Sequence, residues 1–185
     1  MVADIARRLV IDCNRRPGLD SSIPTISELT SIPGNQDLSP AERETRRREI
    51  FAPYHDQIAT LIEARRAAGR RIVLVAMHSF TPVFKGARRQ VEIGVLYNRD
   101  TRFPHVLLGL LRAEGGLAVG DNEPYAVGDL TDYTVPVHAE RRGLAHVEIE
   151  IRQDLIADDA GQAAWAARLA RLLPIADTRL RGVAG

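Results

Sequence analysis

The chain has 185 residues, 45% of them hydrophobic and 26% charged, the balance of an ordinary folded protein long enough to bury a core. Its 25 Lys+Arg against 24 Asp+Glu leave a net charge of +1, which exerts no general pull toward nucleic acid or an anionic membrane. One cysteine, Cys13, excludes an intramolecular disulfide framework and a cysteine-based zinc site, and no apolar run approaches the roughly 20 residues a bilayer requires. Asp4, Arg7 and Arg8 interrupt the N-terminus before any signal-peptide core forms, so a cytoplasmic location is expected.

Residues 7–13 read as a short buried strand, followed by a loop of Pro, Gly, Ser and Asn from Asn14 to Leu38. Ser39-Pro40-Ala41-Glu42 is a helix start, with Ser as N-cap, Pro at the first helical position and Glu placed for a capping box. Apolar residues at helical spacing follow, Pro53 is expected to kink or split the helix, and Gly69 ends it. Residues 71–77 are apolar on both faces and predict a central strand of a covered sheet. Val91 to Tyr97 predicts another strand, Pro104 to Glu114 a helix, and Leu117 to Val119 a short strand. After a polar loop over 120–136 come a strand from Ala145 to Ile151 and a helix from Asp159 to Leu173. Strands alternating with helices indicate one α/β domain over 1–185, its sheet mixed but mostly parallel and covered by helices on both faces.

In such a sheet, sites gather at the carboxyl ends of the strands. His78 directly follows the apolar run, where an imidazole serves either as a zinc ligand or as a strand-capping group bonded to a loop. Glu148 and Glu150, two apart, share one face of their strand, with Val147, Ile149 and Ile151 on the other. Two carboxylates on a core strand need partners or a function; on an edge strand they would simply be solvated. Asn14 and Arg15 open the first long loop, where an arginine either holds a substrate carboxylate or points into solvent. His138 follows the second loop, while His55 and His105 read as surface or packing residues and His146 as structural. Arg46-Arg47-Arg48, between Glu44 and Glu49, reads as a solvated helix face; a nucleic-acid patch is the weak alternative.

Taken together, Leu9 to Arg15, Ile32-Pro33-Gly34-Asn35, Pro53-Tyr54-His55, His78 to Gly86, Gly94 to Asn98, Gly120 to Tyr125, Tyr133 to Pro136 with His138 and Arg142-Gly143, and Glu150 to Ile156 resemble the N-formylglutamate amidohydrolase family. The resemblance implies a phosphorylase/hydrolase-like fold of the zinc-carboxypeptidase kind. It also implies a zinc-dependent amidohydrolase that cleaves an N-acyl amino acid, above all N-formyl-L-glutamate to formate and L-glutamate in histidine degradation. On that resemblance His78 is a metal ligand for zinc or another divalent ion, and Glu150 is the carboxylate that activates the attacking water. Asn14 and Arg15 bind the substrate carboxylate, with Asn122, His138 and Arg152 as further substrate-binding residues. The family's upstream segment, which would bring the other zinc ligands, has no counterpart here, so an incomplete metal site in an N-terminally truncated domain is expected. The alternative function is a catalytically inactive remnant that binds an acidic amino-acid derivative. The expected partner is a small acylated amino acid, with no nucleic acid and no membrane.

Overall fold

The computed structural model describes residues 9–183, which fall into two compact units. One consists of the chain up to Ile72 together with Gly128–Arg141; the other comprises Val73–Val127 and Arg142 onward. No helix among the described residues is long and apolar enough to cross a membrane.

The first unit is built from loops and one interrupted helix. The predicted strand does not form over its described part, 9–13, and Arg7 and Arg8 lie outside the described residues. Ile11 and Cys13 are buried, but they pack against Ile23 and Phe51 instead of joining a ladder. Asp12 N–H bonds to Ser22 O and Arg15 N–H to Asp12 O, so the backbone is satisfied by turns. The loop that follows holds a two-stranded hairpin, β1 (Ile26–Ser27) and β2 (Thr30–Ser31). Its order comes from Asn35, whose Nδ2 donates to Leu9 O and Pro24 O at 2.8 and 2.7 Å. Arg46 then reaches back to Val10 O, Gly34 O and Asn35 Oδ1. Arg46 is therefore a staple of the loop, not part of a solvated face; Arg47 and Arg48 do pair locally with Glu44 and Glu49.

The helix starts as predicted: Ser39 and Glu42 form a reciprocal capping box ahead of α1 (Pro40–Arg46). Residues 47–51 widen into a π turn, and α2 (Ala52–Ala67) follows. Pro53 has no N–H to give, and the wide turn just before it absorbs the missing bond. Gly69, at φ 63°, closes the helix in the left-handed conformation that favours glycine.

The second unit contains a four-stranded sheet in the order β3 (Val73–Phe80), β8 (Ala145–Arg152), β6 (Ile93–Leu96), β7 (Val119–Asp121). The β3–β8 and β6–β7 pairs are parallel and β6–β8 is antiparallel, giving the mixed, mostly parallel sheet expected. A short hairpin, β4 (Val83–Phe84) and β5 (Ala87–Arg88), turns through Lys85 and Gly86, both at positive φ. The helices α3 (Arg102–Ala113) and α4 (Asp159–Val183) belong to this unit. Val147, Ile149 and Ile151 on β8 and Ile93 and Val95 on β6 form its core with Phe103, Leu107 and Leu111 of α3 and Trp165, Leu169 and Leu172 of α4. The last helix runs well past Leu173, with Pro174 inside it and Ala176 still buried on the same stripe.

The 71–77 segment departs from its predicted position. The strand runs from Val73 to Phe80 and lies at the end of the described sheet, with β8 on one side and no described strand on the other. Met77 is accordingly half exposed. An apolar run signals burial on both faces but does not say how many strands lie beside it. The central strands are β8 and β6.

Candidate active site

Two groups of polar side chains stand out, one in each unit. The first is on β3 and β8. Their parallel register puts His78 opposite Glu150, Ala76 opposite Glu148 and Phe80 opposite Arg152, with all these side chains on one face. On its other side Glu150 faces Gly94, and Glu148 faces Leu96. Ala76 is small, whereas the place a side chain at Gly94 would take is filled by the Glu123 backbone. His78 thus lies within the strand, three-quarters of the way along it, instead of capping its end.

Glu148 and Glu150 are only 4% and 7% exposed, and β8 has neighbours on both sides, so the solvated edge-strand reading does not apply. One ligand atom from each of His78, Glu148 and Glu150 lies within 4.8 Å of the others. His78 Nε2 is 3.8 Å from Glu148 Oε2. Two carboxylates this close repel each other unless a proton or cation lies among them. One imidazole and two carboxylates are a fitting donor set for zinc or a similar divalent ion. All three would complete the usual number of protein ligands for catalytic zinc; with Glu150 kept as a base, two remain. Glu148 was not anticipated as a site residue, although its alternation with Glu150 was the signal for it.

Arg152 extends the same row. It pairs with Asp154 at 2.7 Å and donates to the carbonyls of Arg89, Gln90 and Val91. Its hydrogen bond holds the Asp154 carboxyl below the usual carboxylate range. Asn122, at φ 51°, receives the Tyr97 N–H on its Oδ1 and gives its own N–H to Val95 O, so it ties the loop after β7 to the end of β6. His146 is fully buried, with Nδ1 donating to Leu144 O.

The second group is in the first unit. The Asn14 side chain donates to Asp132 Oδ1 at 3.0 Å and accepts from the backbone N–H groups of Tyr133 and Thr134. Arg15 NH1 donates to Asp132 Oδ1 at 3.1 Å and to Thr131 O. Asp132 is buried and also receives Gly128 N–H and the Thr131 hydroxyl on Oδ2. Asp132 is therefore the organiser of the Asn14-Arg15 segment, and nothing local in the sequence marks it. His138 is buried and bonds through Nε2 to His55 Nδ1 at 2.9 Å. His55 Nε2 lies 2.8 Å from Cys13 O, and a carbonyl only accepts, so His55 donates from Nε2. His55 Nδ1 then accepts from His138 Nε2 when both rings are neutral. His55, read as a surface or packing residue, is the buried link between His138 and the backbone next to Asn14.

A profile of the N-formylglutamate amidohydrolase family matches residues 1–157. The chain belongs to that family. It is similar to a solved gene product of Agrobacterium tumefaciens (Atu2144), with 45% identity and a TM-score of 0.88 over 94% of this chain and 69% of that one. It is also similar in fold to an N-formylglutamate amidohydrolase from Ralstonia eutropha, at 19% identity and a TM-score of 0.62, over 95% of this chain and 74% of the other. No curated protein matches. The family match spans both polar groups, from Asn14-Arg15 to Glu150.

Proposed function

We propose that this family member is a metal-dependent amidohydrolase that releases formate from N-formyl-L-glutamate in cytoplasmic histidine breakdown, with zinc as its metal. The observation that carries the reading is the cluster of half-buried His78 with buried Glu148 and Glu150 on adjacent strands. His78 and Glu148 would hold the metal, which when bound supplies Lewis-acid polarisation of the amide carbonyl. Glu150 is the general base. It takes a proton from the water that adds to the formyl carbon, and returns it to the amine nitrogen as the C–N bond breaks. Arg15 supplies a guanidinium for a substrate carboxylate, held in place by Asp132, and Asn14 fixes the turn that presents it. His138 supports that turn through His55, Asn122 sets the loop after β7, and Arg152 fixes the 89–91 backbone.

The test is formate release from N-formyl-L-glutamate together with the metal content of the purified protein. Metal-dependent release, lost on chelation and restored by zinc, supports the reading. Tight binding of L-glutamate without any release in the presence of zinc would replace it with the inactive-binder alternative.

A further inference from the structure

Arg89 is held in an aromatic cage within the second unit. Its guanidinium carbon lies 4.6 Å from the Phe84 ring centroid, 4.9 Å from Tyr125 and 5.4 Å from Phe80. NH2 donates to the Tyr125 hydroxyl at 2.6 Å. NH1 is buried and has no hydrogen-bond partner among the described residues, and Arg89 makes no ion pair with any of them. Ring faces attract a cation, but they do not replace the anion or water that a buried N–H normally keeps. An arginine left in this state is poised for an anionic ligand, and its planar fork matches a carboxylate.

The position of the cage says which carboxylate. Phe80 follows His78 by two residues on the same face of β3, a displacement of about 6.6 Å along the strand. Arg152, the partner of Phe80, fixes the Arg89 carbonyl from β8. The cage therefore flanks the His78–Glu150 cluster on the side of the carboxyl ends of both strands, where a charged group of a substrate held at the cluster would extend. Phe84, at the tip of its hairpin, and Tyr125 are both partly exposed, and these are the rings that would turn to admit a ligand.

Resting on the reading of the β3–β8 cluster as the reaction site, we infer that Arg89 binds the side-chain carboxylate of an acidic acyl-amino-acid substrate and sets the preference for acidic over neutral side chains. The test compares wild type with Arg89→Met, which keeps the packing, and Arg89→Lys, which keeps the charge but not the fork. Titration calorimetry with glutarate and with butyrate reads binding without turnover, and kinetics on N-formyl-L-glutamate and N-formyl-L-methionine read preference. Wild type should bind glutarate more tightly than butyrate, and Arg89→Met should weaken glutarate binding and raise KM for N-formyl-L-glutamate by about 10- to 100-fold. Its KM for N-formyl-L-methionine should change little, and Arg89→Lys should fall between. Equal binding of glutarate and butyrate by wild type, or glutarate binding untouched in both variants, would overturn the inference. Arg89-dependent glutarate binding in a protein that releases no formate would uphold it while removing the proposed reaction. If Arg89→Met fails to fold, Arg89→Lys decides by the same readouts.

Discussion

His78 and Glu150 are direct cross-strand partners in the parallel β3–β8 pair, and Glu148 lies one pleat behind on the same face. This register puts an imidazole beside a buried carboxylate without help from any loop, the pair to which the proposed reaction gives the roles of metal ligand and base. The two glutamates should therefore differ in function. Glu150→Gln should abolish formate release and leave metal content intact, as measured by elemental analysis after dialysis. Glu148→Gln and His78→Ala should each lose both. Loss of metal from Glu150→Gln with retention in Glu148→Gln would exchange their assigned roles.

Gly94, beside Glu150 on β6, touches the loop after β7. A Cβ there would overlap the Glu123 carbonyl oxygen and crowd Leu96. Backbone cannot swing away as a side chain does. Gly94→Ala should cost about 1–3 kcal/mol in urea unfolding, the range of an overpacked core. A stability equal to wild type would show that the loop is free to shift.

Local chemistry made some of this structure legible in advance. The Ser39–Glu42 capping box, the Gly69 stop and the alternation of Glu148 and Glu150 against Val147, Ile149 and Ile151 depend on near neighbours, and each was readable from spacing. What failed depends on distant partners. Residues 9–13 carry the apolar run of a short buried strand but find no ladder among the described residues. The 73–80 strand has the composition of a central strand, yet the sheet order leaves it at the end. Asp132 meets Asn14 across 118 residues, and His138 meets His55 across 83, so no motif spacing announces either pair.

Acid sensitivity should come from carboxylates that arginines hold ionised. The Arg102 hydrogen bonds keep Asp100 below the usual range, and those from Arg171 and Arg168 do the same for Glu114. A lowered folded-state pKa gives stability that is present above the unfolded value, near 4, and lost as the pH falls through the folded value. Thermal unfolding should therefore show a steady loss below about pH 4. That slope should flatten in Asp100→Asn and Glu114→Gln, which are already less stable at pH 7. An unchanged slope would move the acid sensitivity elsewhere.

Arg15 and Asp132 separate binding from architecture. Arg15 is partly exposed, and its NH1 is anchored by Asp132 and the Thr131 carbonyl. With Arg15 holding the substrate carboxylate as proposed, removing the guanidinium takes away a charge-assisted contact, so Arg15→Ala should raise KM for N-formyl-L-glutamate by roughly 10- to 100-fold, with little change in unfolding. Asp132 is different because four donors converge on it: the Asn14 amide, Arg15 NH1, Gly128 N–H and the Thr131 hydroxyl. Asp132→Ala leaves those buried or half-buried donors without their acceptor and should destabilise the protein by about 3 kcal/mol as well as raising KM. Asp132→Asn keeps the shape and one acceptor oxygen, so it should recover much of the stability while KM stays high, because Arg15 loses the charge that orients it. Chemical denaturation alongside steady-state kinetics on the three variants separates the cases. If Arg15→Ala leaves KM unchanged, the Asn14-Arg15-Asp132 network is structural and the substrate carboxylate is held elsewhere.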